Sequence, residues 1–214
     1  MKIAEIEVTY LGGYGSDVTV VNAARVSFAK EAVEVSEGDE RLIRYLAVHK
    51  HHSPFNHAFL SFRVKAPIFV ARQLVKHKFM PWNEVSRRYV DEEPEFYFPD
   101  ILRKRSENVK QGSSEEPLDA NYAWKMQLDS DFRNALSSYE GLIKHGCCPE
   151  QARMVLPQNT MTEWIWSGTL GAFLDMLKLR LDPHTQRETR DVAEAIAVDV
   201  QQRFPISFQE YLNG

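Results

Sequence analysis

Leu170, Phe173, Leu174, Leu177 and Leu181 recur at i, i+3, i+4, i+7 and i+11, which draws one apolar stripe along a helix. A helix of this kind is held in water by covering its stripe. The chain also supplies strands. From Ala58 to Val64, Leu60, Phe62 and Val64 fall on one side and Phe59, Ser61 and Arg63 on the other, the period of a half-buried strand. Thr160 to Trp166 is β-prone, and Ile3 to Leu11 alternates in part before Gly12-Gly13. These patterns predict an α+β fold: a modest mixed or antiparallel sheet with helices packed on it.

Further elements follow from local signals. Ser16-Asp17 is placed to cap a helix running toward Ala24, and Leu42, Ile43 and Leu46 form a helix face after Gly38-Asp39. Pro67 suits the first residue of a helix. Glu95 to Phe98 reads as a short aromatic strand, Ala120 to Lys144 as one long helix ended by Gly146, and Gln186 to Arg203 as a final helix. Residues 103–117 are polar with little to bury, so a flexible surface segment is expected there. With 214 residues the chain suits a single domain, 1–214.

The net charge of −4 leaves no basic excess for a dedicated nucleic-acid binder. Cys147 and Cys148 are adjacent and offer no loop-closing disulfide, which favours a reducing, cytoplasmic setting. Met1 to Glu5 lacks an apolar leader core, and no stretch reaches membrane-spanning length, so no membrane partner is expected. Gly12-Gly13-Tyr14-Gly15 lacks the Lys-Ser/Thr of a phosphate loop and reads as a turn. His49, His51, His52 and His57 have no acidic or cysteine companions and match no zinc motif, so no metal is expected.

The densest chemistry lies in Lys76-His77-Lys78-Phe79-Met80-Pro81-Trp82-Asn83-Glu84-Val85-Ser86-Arg87-Arg88-Tyr89. Five of these fourteen residues are cationic or imidazole, a self-repelling set that anionic oxygens, phosphate above all, would relieve. The alternative is a solvated basic turn. An apolar helix, Ala66 to Val75, leads into the cluster and ties it to a core.

This stretch resembles the signature of the flavin-dependent thymidylate synthase family: Arg-His-Arg, seven residues, Ser, then Arg-Tyr. Further blocks look familial and occur in family order: Ala23 to Phe28, His51 to His57, Val64 to Gln73, Ala152 to Pro157 and Leu179 to Gln186. The resemblance implies the family's fold and an enzyme that methylates C5 of a pyrimidine deoxynucleotide, dUMP to dTMP by default. Methylenetetrahydrofolate, FAD and NADPH are the implied co-reactants, and a homotetramer with sites built from several subunits the implied assembly. By the same likeness Arg72, Gln73, Lys76, Glu84, Ser86, Arg87, Arg88 and Arg153 bind nucleotide. Arg180 contacts the pyrimidine and favours ionisation at N3, the catalytic role. His51, Ser53, Lys76, His77, Lys78, Glu84, Thr169, Gly171 and Asp175 face the cofactor, whereas His49 and His52 also fit a plain surface loop. Cys147 and Cys148 are structural in this reading.

The chain departs from the family pattern on the flavin side. Lys76 and Lys78 replace arginines, Thr169 and Asp175 replace asparagines, and Gly171 replaces an arginine. On a helix Gly171, Asp175, Lys178 and Asp182 share one stripe, a polar face expected to look into the site. Asp175, acceptor-only when ionised, makes a dCMP-directed methyltransferase or hydroxymethyltransferase an alternative, since cytosine carries a 4-amino donor. A nucleotide- or flavin-binding protein without turnover is the alternative of another class.

Overall fold

The computed structural model describes residues 1–90, 92–106 and 113–213. Its main sheet has four antiparallel strands in the order β2 (Glu7–Tyr14), β3 (Phe59–Pro67), β8 (Met161–Thr169) and β4 (Trp82–Glu84). On β3, Leu60, Phe62, Val64 and Ala66 are buried, as the alternation predicts. Opposite them in register on β8 stand Gly168, Trp166, Trp164 and Thr162, so both strands send one face inward. The helices α6 (Leu170–Arg180) and α7 (Arg187–Arg203) close that face, with α3 (Ile68–Leu74) at its edge. In α6 the predicted stripe is the buried one: Leu170, Phe173, Leu174 and Leu177 are fully covered. Phe173 meets Phe62 and Trp166 edge-on at ring distances of 5.1 and 5.5 Å.

Two expectations need correction, and the alternative of a solvated basic turn narrows. The opening strand is two pieces, β1 (Lys2–Ile3) and β2, and Gly12-Gly13 is no turn but lies inside β2. The register shifts between Tyr10 and Gly12, a bulge, and Gly12 has φ +149°. A Cβ on Gly13 would meet the Phe59 carbonyl oxygen at 2.4 Å, so glycine is required where the two backbones approach. The middle of the basic cluster is not a continuous turn either, because β4 extends the sheet there. Finally, α7 is followed by a further helix, α8 (Pro205–Asn213). Its N-terminus is satisfied across the whole chain: the buried Asp17 carboxylate accepts from the Ile206 and Ser207 amides and the Ser207 hydroxyl.

The remaining elements match expectation closely. Ser16 precedes α1 (Asp17–Arg25), and its amide donates to Thr19 Oγ1, one half of a capping box. The helix α2 (Glu37–Val48) buries Ile43 and Leu46, and packs against α8. Pro67 ends β3 and caps α3, one position earlier than the first-turn placement. The pair β5 (Glu95–Phe96) runs parallel to β1. The long helix is α4 (Asn121–Lys144), with Gly146 beyond it at φ +86°. Within residues 103–117, β6 (Arg103–Arg105) and β7 (Ser113–Pro117) pair antiparallel, so the ends of the segment are strands; 107–112 lie outside the described residues. Among the described residues no helix is long and apolar enough to cross a membrane.

Candidate active site

Most of the residues singled out by sequence line one of three clefts. The first, about 660 Å³, lies where β4, the start of β8 and the turn α5 (Pro149–Ala152) meet. Arg72, Glu84, Arg87 and Arg153 all line it. Five glutamates line it as well, Glu84, Glu92, Glu95, Glu150 and Glu163. Glu84 accepts from Trp82 Nε1 at 3.0 Å and from Thr162 Oγ1 at 2.8 Å, Glu95 pairs with Lys65 at 2.6 Å, and Glu163 lies 3.8 Å from Arg63. The pairing with Glu95 raises the Lys65 pKa. Arg87 donates to the Glu92 carbonyl and Arg153 to the Glu150 carbonyl. Among the described residues no carboxylate pairs with Arg72 or Arg153, so these two guanidiniums line the cleft without an ion-pair partner. Arg88 stands at the margin, bonded to Ser86 Oγ at 3.1 Å, stacked on Tyr89 and 4.0 Å from Glu150.

The second cleft, about 580 Å³, holds Gln73 and Arg180 together with Asp182, His184 and Gln186. Arg180 is half-buried at the end of α6 and fixed twice. Its Nε donates to His77 Nε2 at 3.0 Å, and a terminal nitrogen donates to the Gln73 carbonyl at 3.4 Å. Gln73 is held in turn by Gln186, and Gln186 by Glu188 at 3.1 Å. Burial lowers the Arg180 pKa. His77, the middle residue of the Lys-His-Lys triplet, thus acts as an acceptor and must be neutral.

Burial first, and the positive Arg180 second, bring the His77 pKa down from 6.5 to about 4. The unfolded imidazole takes a proton near 6.5 and the folded one refuses it until about 4, so stability is complete above that window and is lost as pH falls through it. Solvent screening of this half-exposed ring limits the loss to about 1–2 kcal/mol. Urea midpoints compared between pH 7 and pH 4.5 should fall more for the wild type than for His77→Gln; equal falls would remove His77 as the cause.

The third cleft, about 540 Å³, is lined by His52, Asn56, Lys78, Thr169, Gly171 and Asp175, with His77 and Phe79 at its mouth. Thr169 caps α6 by accepting from the Ala172 amide at 3.2 Å and donates to Asn56 Oδ1 at 2.7 Å. A Cβ on Gly171 would lie 2.5 Å from that same oxygen, so Thr169, Gly171 and Asn56 are a matched set. Asp175 Oδ1 accepts from the Tyr211 hydroxyl at 2.7 Å. The expected polar stripe is divided by the fold: Gly171 and Asp175 line this cleft, Lys178 and Asp182 the second.

His51 and His52 are placed differently within this chain. His51, expected at the cofactor, stacks on Tyr45 at a ring distance of 5.8 Å and lines none of these clefts. Its neighbour His52, which fitted a surface loop, lines the third cleft and bonds Tyr211. Ser53 opens a short 3₁₀ turn and is exposed, as is Lys76. Sequence reasoning missed Asn56, Phe79 and Tyr211. For Asn56 a signal existed in the same familial block; for Tyr211, on an unpredicted helix, none did.

The comparisons with known proteins point one way. The family model described as Thymidylate synthase complementing protein matches residues 9–206. A flavin-dependent thymidylate synthase of Thermus thermophilus is 41% identical over 201 residues, covering 92% of this chain and 73% of that protein. One from Kosmotoga olearia is 36% identical over 200 residues, covering 93% and 86%. The crystal structure of a UMP/dUMP methylase from Streptomyces cacaoi bound with 5-Br dUMP is similar with a TM-score of 0.90 at 30% identity, covering 100% of this chain and 97% of that one. Matched over nearly its whole length in sequence and in fold, the chain belongs to the flavin-dependent thymidylate synthase family.

Proposed function

We propose that the protein methylates C5 of dUMP to give dTMP, with methylenetetrahydrofolate as carbon donor and FAD, reduced by NADPH, as redox cofactor. The observation that carries this is the first cleft, where Arg72 and Arg153 line a space of about 660 Å³ with no carboxylate paired to either among the described residues, in a chain of this family. Planar guanidiniums match phosphate oxygens in pairs. Arg87, Arg88 and Ser86 extend that grip, and Glu84, held by Trp82 and Thr162, orients the sugar or ring beside it.

Arg180 stabilises the negative charge that develops on the pyrimidine when C5 acts as a nucleophile. Its fixed bonds to His77 and the Gln73 carbonyl mean that little reorganisation is needed. Arg180 and Gln73 face a different cleft from Arg72 and Arg153 within one chain. This separation is in keeping with the homotetramer, with sites built from several subunits, that the family likeness implies. Exposed Phe28, Val33, Tyr122, Trp124 and Met126 supply apolar surface for such assembly.

The third cleft fits a flavin. Lys78 offers a cation for a pyrophosphate, Thr169, Asn56 and Asp175 offer polar contacts to a ring edge, and Phe79 offers an exposed face for stacking. When bound, the flavin supplies the hydride that completes the methyl group. Lysines at 76 and 78 keep charge but give up the two-pronged bonds of arginine, so FAD is to be added in assays. Asp175 sits with Lys78 rather than with the arginines of the first cleft, which supports a cofactor-facing role over recognition of a cytosine amino group. Adjacent free Cys147 and Cys148 accord with a cytoplasmic setting.

Incubation with dUMP, methylenetetrahydrofolate, NADPH and FAD, followed by mass spectrometry, should show dUMP gaining one CH₂. A product from dCMP alone would redirect the assignment to cytosine. Nucleotide binding without any product would leave a binding protein and overturn the enzymatic reading.

A further inference from the structure

The third cleft contains a hydrogen-bonded chain that reaches into the C-terminal helix. His52 Nδ1 lies 2.7 Å from the Tyr211 hydroxyl, and that hydroxyl lies 2.7 Å from Asp175 Oδ1. Tyr211 is buried, and its pKa is raised, first by burial and then by the bond to Asp175, so the hydroxyl keeps its proton. A phenol has one proton to give. A carboxylate can only accept, so the proton goes to Asp175, and the tyrosine oxygen can only accept from His52. That assignment fixes the ring as the Nδ1–H tautomer and leaves the Nε2 lone pair without a hydrogen-bond partner among the described residues.

Tyr211 is held from several sides. Asp17 caps the start of α8, Arg44 on α2 grips Glu210 with two bonds of 2.8 Å, and Lys178 donates to the Tyr211 carbonyl at 3.4 Å. Phe55 meets its ring edge-on at 5.1 Å. The relay is therefore built into the fold on two helices and a turn.

We propose that His52 is the proton-exchanging group of the third cleft, with Tyr211 and Asp175 as the positioning residues that keep its Nε2 available. The logic is in the chain itself. When Nε2 takes a proton from an acidic N–H of a ring ligand, that bond breaks with its electron pair left on the ligand and an N–H bond forms at Nε2, while Nδ1–H, Tyr211 and Asp175 keep every bond they had. When the proton passes on to solvent, the Nε2–H bond breaks and the starting state returns. His52 is exposed at the rim, so water reaches it. The other ionisable groups at the cleft are His77 and Lys78 on the turn before β4 and Asp175 on α6. Of these, His77 is engaged by Arg180 and Asp175 by Tyr211. The inference rests on the reading of this cleft as the cofactor cleft only for its role in turnover; the tautomer stands on geometry alone.

Nitrogen-15 NMR of histidine-labelled wild-type protein above the imidazole titration tests it, with His52→Gln used to assign the signals. His52 should show Nδ1 protonated and Nε2 bare, and Tyr211→Phe should return the ring to the Nε2–H preference of free imidazole. Under the assay conditions above, His52→Gln should remove one ionisation from the pH profile of kcat and lower its plateau about 10²-fold. Tyr211→Phe should move that ionisation, and His49→Gln should leave the profile intact. A wild-type His52 protonated at Nε2, or a profile unchanged in His52→Gln, would overturn the proposal. If wild type binds no FAD and makes no methylated product, the functional reading fails instead, while the tautomer result still decides the relay.

Discussion

Arg180→Ala lowers kcat about 10²–10³-fold, the cost of removing one preorganised donor from a developing negative charge, while nucleotide affinity changes by less than about tenfold. The separation follows from the structure. In the proposed function ground-state binding rests on Arg72 and Arg153, which line the first cleft, whereas Arg180 stands elsewhere, tied to His77 and the Gln73 carbonyl. An interaction made only in the transition state appears in kcat and not in the dissociation constant. Arg180→Lys should recover part of the loss, because charge returns without the planar fork that meets His77 and the ring together. Single-turnover rates and equilibrium binding of dUMP, measured on the same preparation, give both quantities. Equal losses in binding and rate would make Arg180 a phosphate or ring anchor, and near-normal kcat would remove its catalytic role.

Phe173→Ala costs about 3–5 kcal/mol, a large share of the roughly 5–15 kcal/mol that holds a typical domain together. Phe173 is fully buried on α6 and is wedged between Phe62 on β3 and Trp166 on β8. Met80 and Gly168 lie beside this group, with a Cβ on Gly168 reaching 3.1 Å from Met80 and 3.5 Å from the Phe173 ring. Neighbours packed this closely on a sheet cannot collapse into the space left behind, so the cavity persists. The urea midpoint should fall with little change in slope, at a fixed protomer concentration since assembly adds to apparent stability. Because α6 is capped by Thr169 and carries Asp175 and Arg180, loosening it should weaken FAD binding at temperatures below unfolding. A loss under about 1 kcal/mol would show that the core relaxes around the site.

Much of the fold can be read in the residues because burial on one face imposes a period. Leu60, Phe62 and Val64 alternate, and Leu170 to Leu177 recur by turns, since in each case one side meets the core and the other does not. Gly12-Gly13 carried no such mark. A glycine pair serves a turn and a bulge equally, and only the Phe59 carbonyl oxygen, 2.4 Å from where a Gly13 Cβ would stand, selects the bulge. The helix α8 escaped for a related reason. Its first turn is capped by Asp17, on the first helix of the chain, a partnership that no local pattern records.

The candidate site divides in the same way. The resemblance to family blocks was enough to mark Arg72, Arg153 and Arg180 as matching positions and Thr169 and Asp175 as departures from the family pattern. Their grouping was not written in the order of residues. Arg72 and Gln73 are adjacent in sequence yet line different clefts, and His51 and His52 part at the end of α2, one onto Tyr45 and the other onto Tyr211. The family, the sheet-and-helix class and the cations were all legible in the order of residues, since each leaves a local pattern. The sharing of those cations among three clefts, and the bond from Asp175 to a tyrosine of the last helix, came only with the folded chain. Neighbouring side chains leave a helix or turn in different directions, so the cleft each one enters is set by elements far away in the chain.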